Sequence, residues 1–316
     1  MNDSLRASIL RTLSCHEAWG YAPTMAELAL TLDAPMPVLF SKQDIRHGID
    51  ELLRSGEIIH QDGRLIVGAP LAGALVGEGT TTIRSAVISS LRDRAIFQPR
   101  KLRQAQRVAR WLARLSGVRF VALANTTSWG YARDFGDLDF FVIVRAGTIW
   151  TTRLFGAGLF KILGRLAGAK NRRDAVCLSY FIADDSLDLS SHMLESDPYF
   201  RQWFLALLPI VDDGVSAQLW HANTAIRSHH PFALPWMVAP DLRVTIPRLR
   251  FPSFQMMDRL AQSFQRRWFP LAIHSQMNQS TSVMVSDHVL KFHVEDARKI
   301  FHDRCEELCR QRGVEL

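Results

Sequence analysis

Hydrophobic positions in the first part of the chain recur at helical spacing in three segments. The first covers residues 4–14, where apolar side chains return every three to four positions. Thr24 followed by Glu27 is a capping-box pattern that starts a second helix. Ser41 is placed to cap a third helix, which ends at Gly56, a residue typical of helix C-termini. The pattern therefore predicts three successive helices.

Two short β-rich runs follow, EIIHQ and RLIVG, and the Asp62-Gly63 pair between them is a strong hairpin signal. Three helices followed by a hairpin are typical of a winged helix-turn-helix, which we predict for residues 1–70. In a DNA-binding domain of this type, the recognition helix lies in the major groove and contacts the bases with side chains of its first turns. The third helix would have this role here. Here those side chains are Lys42, Gln43, Arg46 and His47. A role in protein interaction or packing is the alternative.

A basic helical connector is predicted for residues 71–117. The stretch 84–119 contains ten lysines or arginines and a single acid, Asp93. Beyond Pro99 the apolar side chains share one helical face. Five arginines form a stripe on the outer edge: Arg100, Arg103, Arg107, Arg110 and Arg114. These cations favour binding of phosphates, including those of a nucleic acid; a solvated face with packed apolar stems is the alternative.

The centre of the chain, VRFVALANTTSWGYARDFGDLDFFVIV, predicts a strand, a polar turn and a second strand that opens with two carboxylates. Asp137 and Asp139 are two positions apart, so their side chains lie on the same face of that strand. Two negative charges this close repel each other, and cations between them relieve the repulsion. Because oxygen ligands suit Mg²⁺ or Mn²⁺, the pair predicts a site for metal-dependent phosphoryl transfer.

These residues resemble the nucleotidyltransferase superfamily related to polymerase β, in which a hydrophobic strand, a Gly-Ser pair and a spacer precede Asp-hydrophobic-Asp. Here residues 119–124 are followed by Asn125-Thr126, a ten-residue spacer and Asp137-Leu138-Asp139. The chain is similar in particular to bacterial proteins that join a winged helix to such a domain. That similarity extends over residues 5–235 and includes the segments GTIWTTRLF, VCLSYF, DPYF and WHAN.

The resemblance implies transfer of a nucleoside monophosphate from an NTP to an acceptor hydroxyl, with Mg²⁺ or Mn²⁺ as cofactor. It implies that Asp137 and Asp139 bind the metal ions, and that Asn125 and Thr126 contact the triphosphate in place of Gly-Ser. Asn tolerates a left-handed backbone, which would preserve the turn. Arg153, in the next predicted helix, either contacts the triphosphate or pairs with an acid.

The superfamily places a third carboxylate on a neighbouring strand, but the strand expected here, residues 175–183, contains no acid. Ser179 takes that position, or Asp184 or Asp185 reaches in from the strand's end; Asp134 is a further contributor. The altered Gly-Ser pair and the missing acid favour a rival hypothesis. In it, a catalytically inactive fold serves as a nucleotide-sensing or nucleic-acid-binding module. A purely structural scaffold is the third alternative.

Composition changes this picture little. The chain has 316 residues, 47% of them hydrophobic and 22% charged, an ordinary globular balance. A formal net charge of +7 favours polyanionic partners such as nucleotides or nucleic acid. The N-terminus lacks the apolar run of a signal peptide, and the chain lacks the apolar stretch of a membrane helix. We therefore predict a cytoplasmic protein without a membrane span.

The four cysteines, Cys15, Cys177, Cys305 and Cys309, follow no framework spacing, so reduced thiols are the prediction. A structural metal at Cys305 and Cys309, completed by His293 and His302, is the alternative.

The C-terminal third predicts two more helices, around residues 253–267 and 284–312, on either side of a polar, Ser-rich passage. The expected fold class is therefore α+β. A winged helix and a connector precede a nucleotidyltransferase-like mixed-sheet domain over residues 118–235. A helical C-terminal extension follows over residues 236–316.

Overall fold

The computed structural model describes residues 2–34, 40–68, 93–168, 173–247 and 255–316. The first part of the expected connector, residues 71–92, lies outside the described residues. Within them, no helix combines the length and apolar character needed to cross a bilayer.

An N-terminal unit contains the three helices and the hairpin that the hydrophobic pattern predicts. Its elements are α1 (Asp3–Ala18), α2 (Met25–Leu30), α3 (Lys42–Ser55), β1 (Ile58–Gln61) and β2 (Arg64–Val67). Thr24 and Ser41 cap α2 and α3, each within a complete capping box. Asp62 and Gly63 both have positive φ and turn β1 into the antiparallel β2.

The remaining described residues add nine helices and six strands. The helices are α4 (Gln98–Leu112), α5 (Asn125–Ser128), α6 (Ile149–Ile162), α7 (Pro198–Leu205), α8 (Ser216–Ala222), α9 (Thr224–Arg227), α10 (Gln255–Arg267), α11 (Leu271–Gln276) and α12 (Arg298–Gln311). The strands are β3 (Val118–Leu123), β4 (Leu138–Val144), β5 (Val176–Ala183), β6 (Leu208–Asp212), β7 (Val283–Val285) and β8 (Val289–Phe292). The mixed α+β class is confirmed.

The six strands form one mixed sheet in the order β6-β3-β4-β5-β8-β7. Strands β4 and β5 are parallel, because α6 carries the chain back between them. The other neighbouring pairs are antiparallel. The sheet is covered on both faces: α4, α6 and α10 pack on one side, and α7 and α8 pack on the other. Strand β4, which carries Asp139, is therefore central and buried.

The C-terminal extension departs from the helical prediction. Helix α10 forms where expected, but residues 284–312 do not form one helix. Instead β7 and β8 extend the sheet beyond β5, and α12 begins only at Arg298. Val283, Val285 and Leu290 enter the sheet's core. The alternating apolar positions of these short strands become stable only against the edge of β5, which the local sequence does not show.

Candidate metal and nucleotide site

Asp137 and Asp139 lie where β4 begins, on the same side of the strand. Asp139 is directly opposite Cys177 of the parallel strand β5. Carboxylate oxygens of the two acids and the Cys177 sulfur all lie within 4.8 Å of one another. Asp137 is exposed, whereas Asp139 and Cys177 are partly buried. The structure therefore brings the two acids together, with a thiol as their nearest cross-strand neighbour.

Helix α4 holds the loop that precedes the two acids. The Lys101 ammonium is fully buried; it donates to the Gly136 carbonyl and pairs with Asp174 at 2.9 Å. Arg100 pairs with Asp174 at 3.1 Å and with Asp134 at 2.7 Å. Asp134 is thus engaged by Arg100 and does not line the site, so its expected contribution to the acidic pair is not observed.

Asn125 follows the end of β3 and lines the cavity next to the two acids. Its φ of 56° is left-handed, a backbone conformation that Asn tolerates better than most residues other than Gly. The Tyr199 hydroxyl donates to Asn125 Oδ1 at 3.1 Å. The Asn125 side chain is also among the groups that favour the ionised form of the Asp139 carboxylate. Asn125 therefore lies at the cavity wall next to Asp139.

Thr126 and Arg153 do not join the site. Thr126 lies in α5, where its carbonyl accepts from the Tyr131 amide at 3.1 Å, and it does not line the cavity next to the acids. Arg153 Nη1 donates to Gln265 Oε1 at 2.6 Å. The Arg153 guanidinium lies 4.4 Å from the centre of the Phe292 ring. Arg153 does not line the cavity next to the acids, and no acid of the described ranges forms an ion pair with it; it packs α6 against α10.

The third carboxylate is absent from the described part of β5. Asp184 lies at the far end of β5, where it accepts from Arg119 at 2.7 Å and from the Ala146 amide at 2.9 Å. Asp185 pairs with His288 at 2.9 Å. Ser179 does line the cavity, and the Cys177 thiol donates to its hydroxyl at 3.2 Å. Cys177 and Ser179 thus take the place beside the acidic pair.

Burial and mutual repulsion raise the proton affinity of the acidic pair. Desolvation, followed by the negative charge of Asp137, raises the pKa of Asp139 to about 7. Partial loss of contact with water also raises the pKa of Asp137, although its side chain is still exposed. Burial, and then the charge of Asp139, raise the pKa of the Cys177 thiol well above its ordinary value. At neutral pH the thiol is protonated, so the carboxylates are the ligands that this cluster offers to a hard cation.

A cavity of about 680 Å³ opens beside the two acids. Its far wall comes from the C-terminal segment that the sequence predicted to be helical. That wall includes Lys291, His293, Glu295, Asp296 and Arg298. Tyr180, Tyr199 and Trp203 add aromatic surface. These residues carry no motif that sequence reasoning could have recognised, because their proximity to Asp139 depends on β8 pairing with β5.

The arginines of α4 divide into two groups. Arg100 is engaged in the ion pairs described above. The other four are exposed, and no acid within the described ranges pairs with them: Arg103, Arg107, Arg110 and Arg114. The basic and polar side chains at the start of α3 are likewise exposed: Lys42, Gln43, Arg46 and His47. Both groups are accessible to a polyanion.

The cysteines differ from the expectation of reduced thiols. Cys15 of α1 and Cys305 of α12 form a disulfide across 290 residues of sequence. The Cys309 sulfur lies within 4.8 Å of both, and neither His293 nor His302 belongs to this group. Helix α12 packs directly against α1, and this tertiary contact, which no spacing rule predicts, brings the sulfurs together.

No protein-family model matches the chain, and comparisons with curated proteins and with solved structures also give no match.

Proposed function

We propose that the cavity beside Asp137 and Asp139 is the site of metal-dependent nucleotidyl transfer. The reaction moves a nucleoside monophosphate from an NTP to an acceptor hydroxyl and releases pyrophosphate. The observation that carries the proposal is the acidic pair itself: two carboxylates on one face of a buried strand, with oxygens within 4.8 Å, at the wall of a 680 Å³ cavity.

The donor set fits Mg²⁺ or Mn²⁺. Both cations prefer carboxylate oxygens, and a cation would compensate the repulsion that raises the pKa of Asp139 to about 7. A metal ion held by Asp137 and Asp139 would supply electrostatic stabilisation of the phosphates and activation of the attacking oxygen. The chain's own contribution is orientation and charge: Lys101 fixes the loop before Asp137 through the Gly136 carbonyl, and the Asn125 side chain favours the ionised form of Asp139.

Thermal unfolding with each NTP and Mg²⁺ or Mn²⁺ tests the site before an acceptor is known. A ligand that binds only the folded protein at a hundred times its Kd adds about 2.7 kcal/mol. We expect such a rise with metal and at least one NTP, and its loss in the Asp137→Asn/Asp139→Asn variant. Pyrophosphate release from the stabilising NTP should follow the same pattern. An equal rise in both proteins would contradict the assignment.

A second candidate function is binding of nucleic acid by α4. The observation in its favour is the row of four exposed arginines, Arg103, Arg107, Arg110 and Arg114, without described acidic partners. In this alternative the site of Asp137 is catalytically inactive. Duplex DNA binding should then weaken with salt, and each lost phosphate contact reduces the slope of log K against log salt by about 0.9. Binding unchanged by Asp137→Asn but weakened by Arg107→Ala and Arg110→Ala favours this alternative over catalysis.

A further inference from the structure

Lys291 places a buried cation in the wall of the same cavity as the acidic pair. Its side chain is 1% exposed, and on β8 it lies opposite Tyr180 of β5. Strand β8 is separated from the strand of Asp139 by β5 alone, which corresponds to two strand spacings, about 10 Å. The cation and the acidic pair therefore line separate parts of one cavity.

The described residues give this ammonium few direct hydrogen-bond partners. Its hydrogen bond to the His192 carbonyl is 3.4 Å long. The rings of Tyr180 and Phe200 lie 5.4 and 5.3 Å from it. In the described ranges no carboxylate forms an ion pair with it. Because an ammonium carries three N–H donors, Lys291 retains donors for a group that enters the cavity.

The neighbouring acids are already held by Arg298. Its guanidinium pairs with Asp197 at 3.2 Å and with Asp296 at 2.6 Å, and it donates to the His192 carbonyl at 2.7 Å. Arg298 therefore forms the ion pairs with both acids. Lys291 senses their negative charges without forming an ion pair with either. Burial, and then the positive charge of Arg298, lower the pKa of Lys291 to about 7. An anion beside Lys291 would restore its charged form.

We infer that Lys291 binds the phosphate chain of the nucleotide. The C-terminal segment thus provides the anion-binding wall of the cavity, and the start of β4 provides the metal-binding wall. This assignment rests on the proposed function, and it gives Lys291 the phosphate contact that the sequence had assigned to Arg153. Phosphate oxygens supply both the negative charge and the hydrogen-bond acceptors that a buried ammonium requires.

The test compares Lys291→Met and Lys291→Arg with Lys299→Met, an exposed lysine on α12 that serves as the control. Isothermal titration in Mn²⁺ gives the Kd of each NTP and of inorganic tripolyphosphate. We expect Lys291→Met to weaken both classes of ligand by at least about tenfold, the loss of one charge-assisted contact. Lys291→Arg should retain most of the affinity, and Lys299→Met should bind like wild type.

A second measurement keeps the test independent of folding defects. Lys291→Met removes a buried charge that forms no ion pair with a described residue, so without ligand its Tm should equal or exceed that of wild type. A well-folded Lys291→Met protein with wild-type affinity overturns the role of Lys291 alone, provided that Asp137→Asn/Asp139→Asn still abolishes NTP binding. If wild type binds neither NTP nor tripolyphosphate, the assignment and the proposed function both fail. Tripolyphosphate binding that needs Lys291, without NTP binding in Mg²⁺ or Mn²⁺, supports the anion site and contradicts the proposed function.

Discussion

Replacing Asp139 with Asn removes one charge from the acidic pair while preserving the side chain's shape. In the ligand-free protein, the pKa of Asp139 is raised from 3.8 to about 7, first by burial and second by Asp137. The folded protein therefore keeps a proton that the unfolded chain releases as the pH rises through 3.8. The contribution of this proton to the free energy of unfolding is lost as the pH rises from about 4 to about 7, and it does not change further above pH 7.

The size of the destabilisation by Asp139 follows from the difference between its pKa values in the unfolded and the folded protein. A difference of one in pKa is worth about 1.4 kcal/mol, so Asp139 destabilises the ligand-free protein by at most about 4 kcal/mol at pH 8. Asp139→Asn should be nearly as stable as wild type at pH 4 and progressively more stable up to pH 7. For a chain of this size the largest difference corresponds to a rise in Tm of roughly 10 °C.

Differential scanning fluorimetry from pH 4 to pH 8, with EDTA or with Mn²⁺, measures how the Tm of each protein depends on pH and on the metal ion. In EDTA the Tm difference between Asp139→Asn and wild type should grow with pH. Mn²⁺ should reverse it at pH 8, because the ionised pair of the wild type binds the cation. Asp241→Asn, which changes an exposed acid, is the matched control. A Tm difference that is constant with pH, or an equal Mn²⁺ response in both proteins, refutes this account of Asp139.

Three other perturbations test contacts that stabilise the fold. Reductant should lower the stability of wild type by about 2–4 kcal/mol through the Cys15–Cys305 disulfide, and it should have no effect on a Cys15→Ser/Cys305→Ser protein. Gly117→Ala would bring a methyl group against two threonine side chains of the α6 start, so urea denaturation should show a loss of about 1–3 kcal/mol. Arg201→Met leaves Asp33 buried without its 2.9 Å partner and should cost about 3 kcal/mol. Adding Asp33→Asn should restore part of that stability, and no recovery would show that the pair is not coupled.

Several elements could be predicted from local sequence because their signals are local. The capping boxes at Thr24 and Ser41 and the turn at Asp62 fix their own neighbourhoods through hydrogen bonds within a few residues. The spacing of Asp137 and Asp139 likewise places them on one face of β4, since side chains alternate along a strand. The left-handed backbone of Asn125 belongs to the same class of local prediction.

For other candidate site residues, the tertiary structure decided which groups they contact. Arg153 has the charge of a phosphate-binding residue, yet its helix packs it against Gln265 and Phe292. Asp134 is near Asp137 in sequence, yet Arg100 engages it. Charge and proximity along the chain do not specify which side chain reaches a given group, because that depends on how helices pack on the sheet.

The sequence by itself determined the three N-terminal helices, their hairpin and the paired carboxylates that β4 presents, because periodicity, capping and strand alternation act over a few residues. Only the tertiary structure joined β7 and β8 to the central sheet, set Lys291 in the wall of the cavity that Asp139 lines, and brought Cys305 to Cys15. Those contacts join segments far apart in sequence. Their free energy comes from burial and strand pairing across the whole fold, which no local pattern encodes.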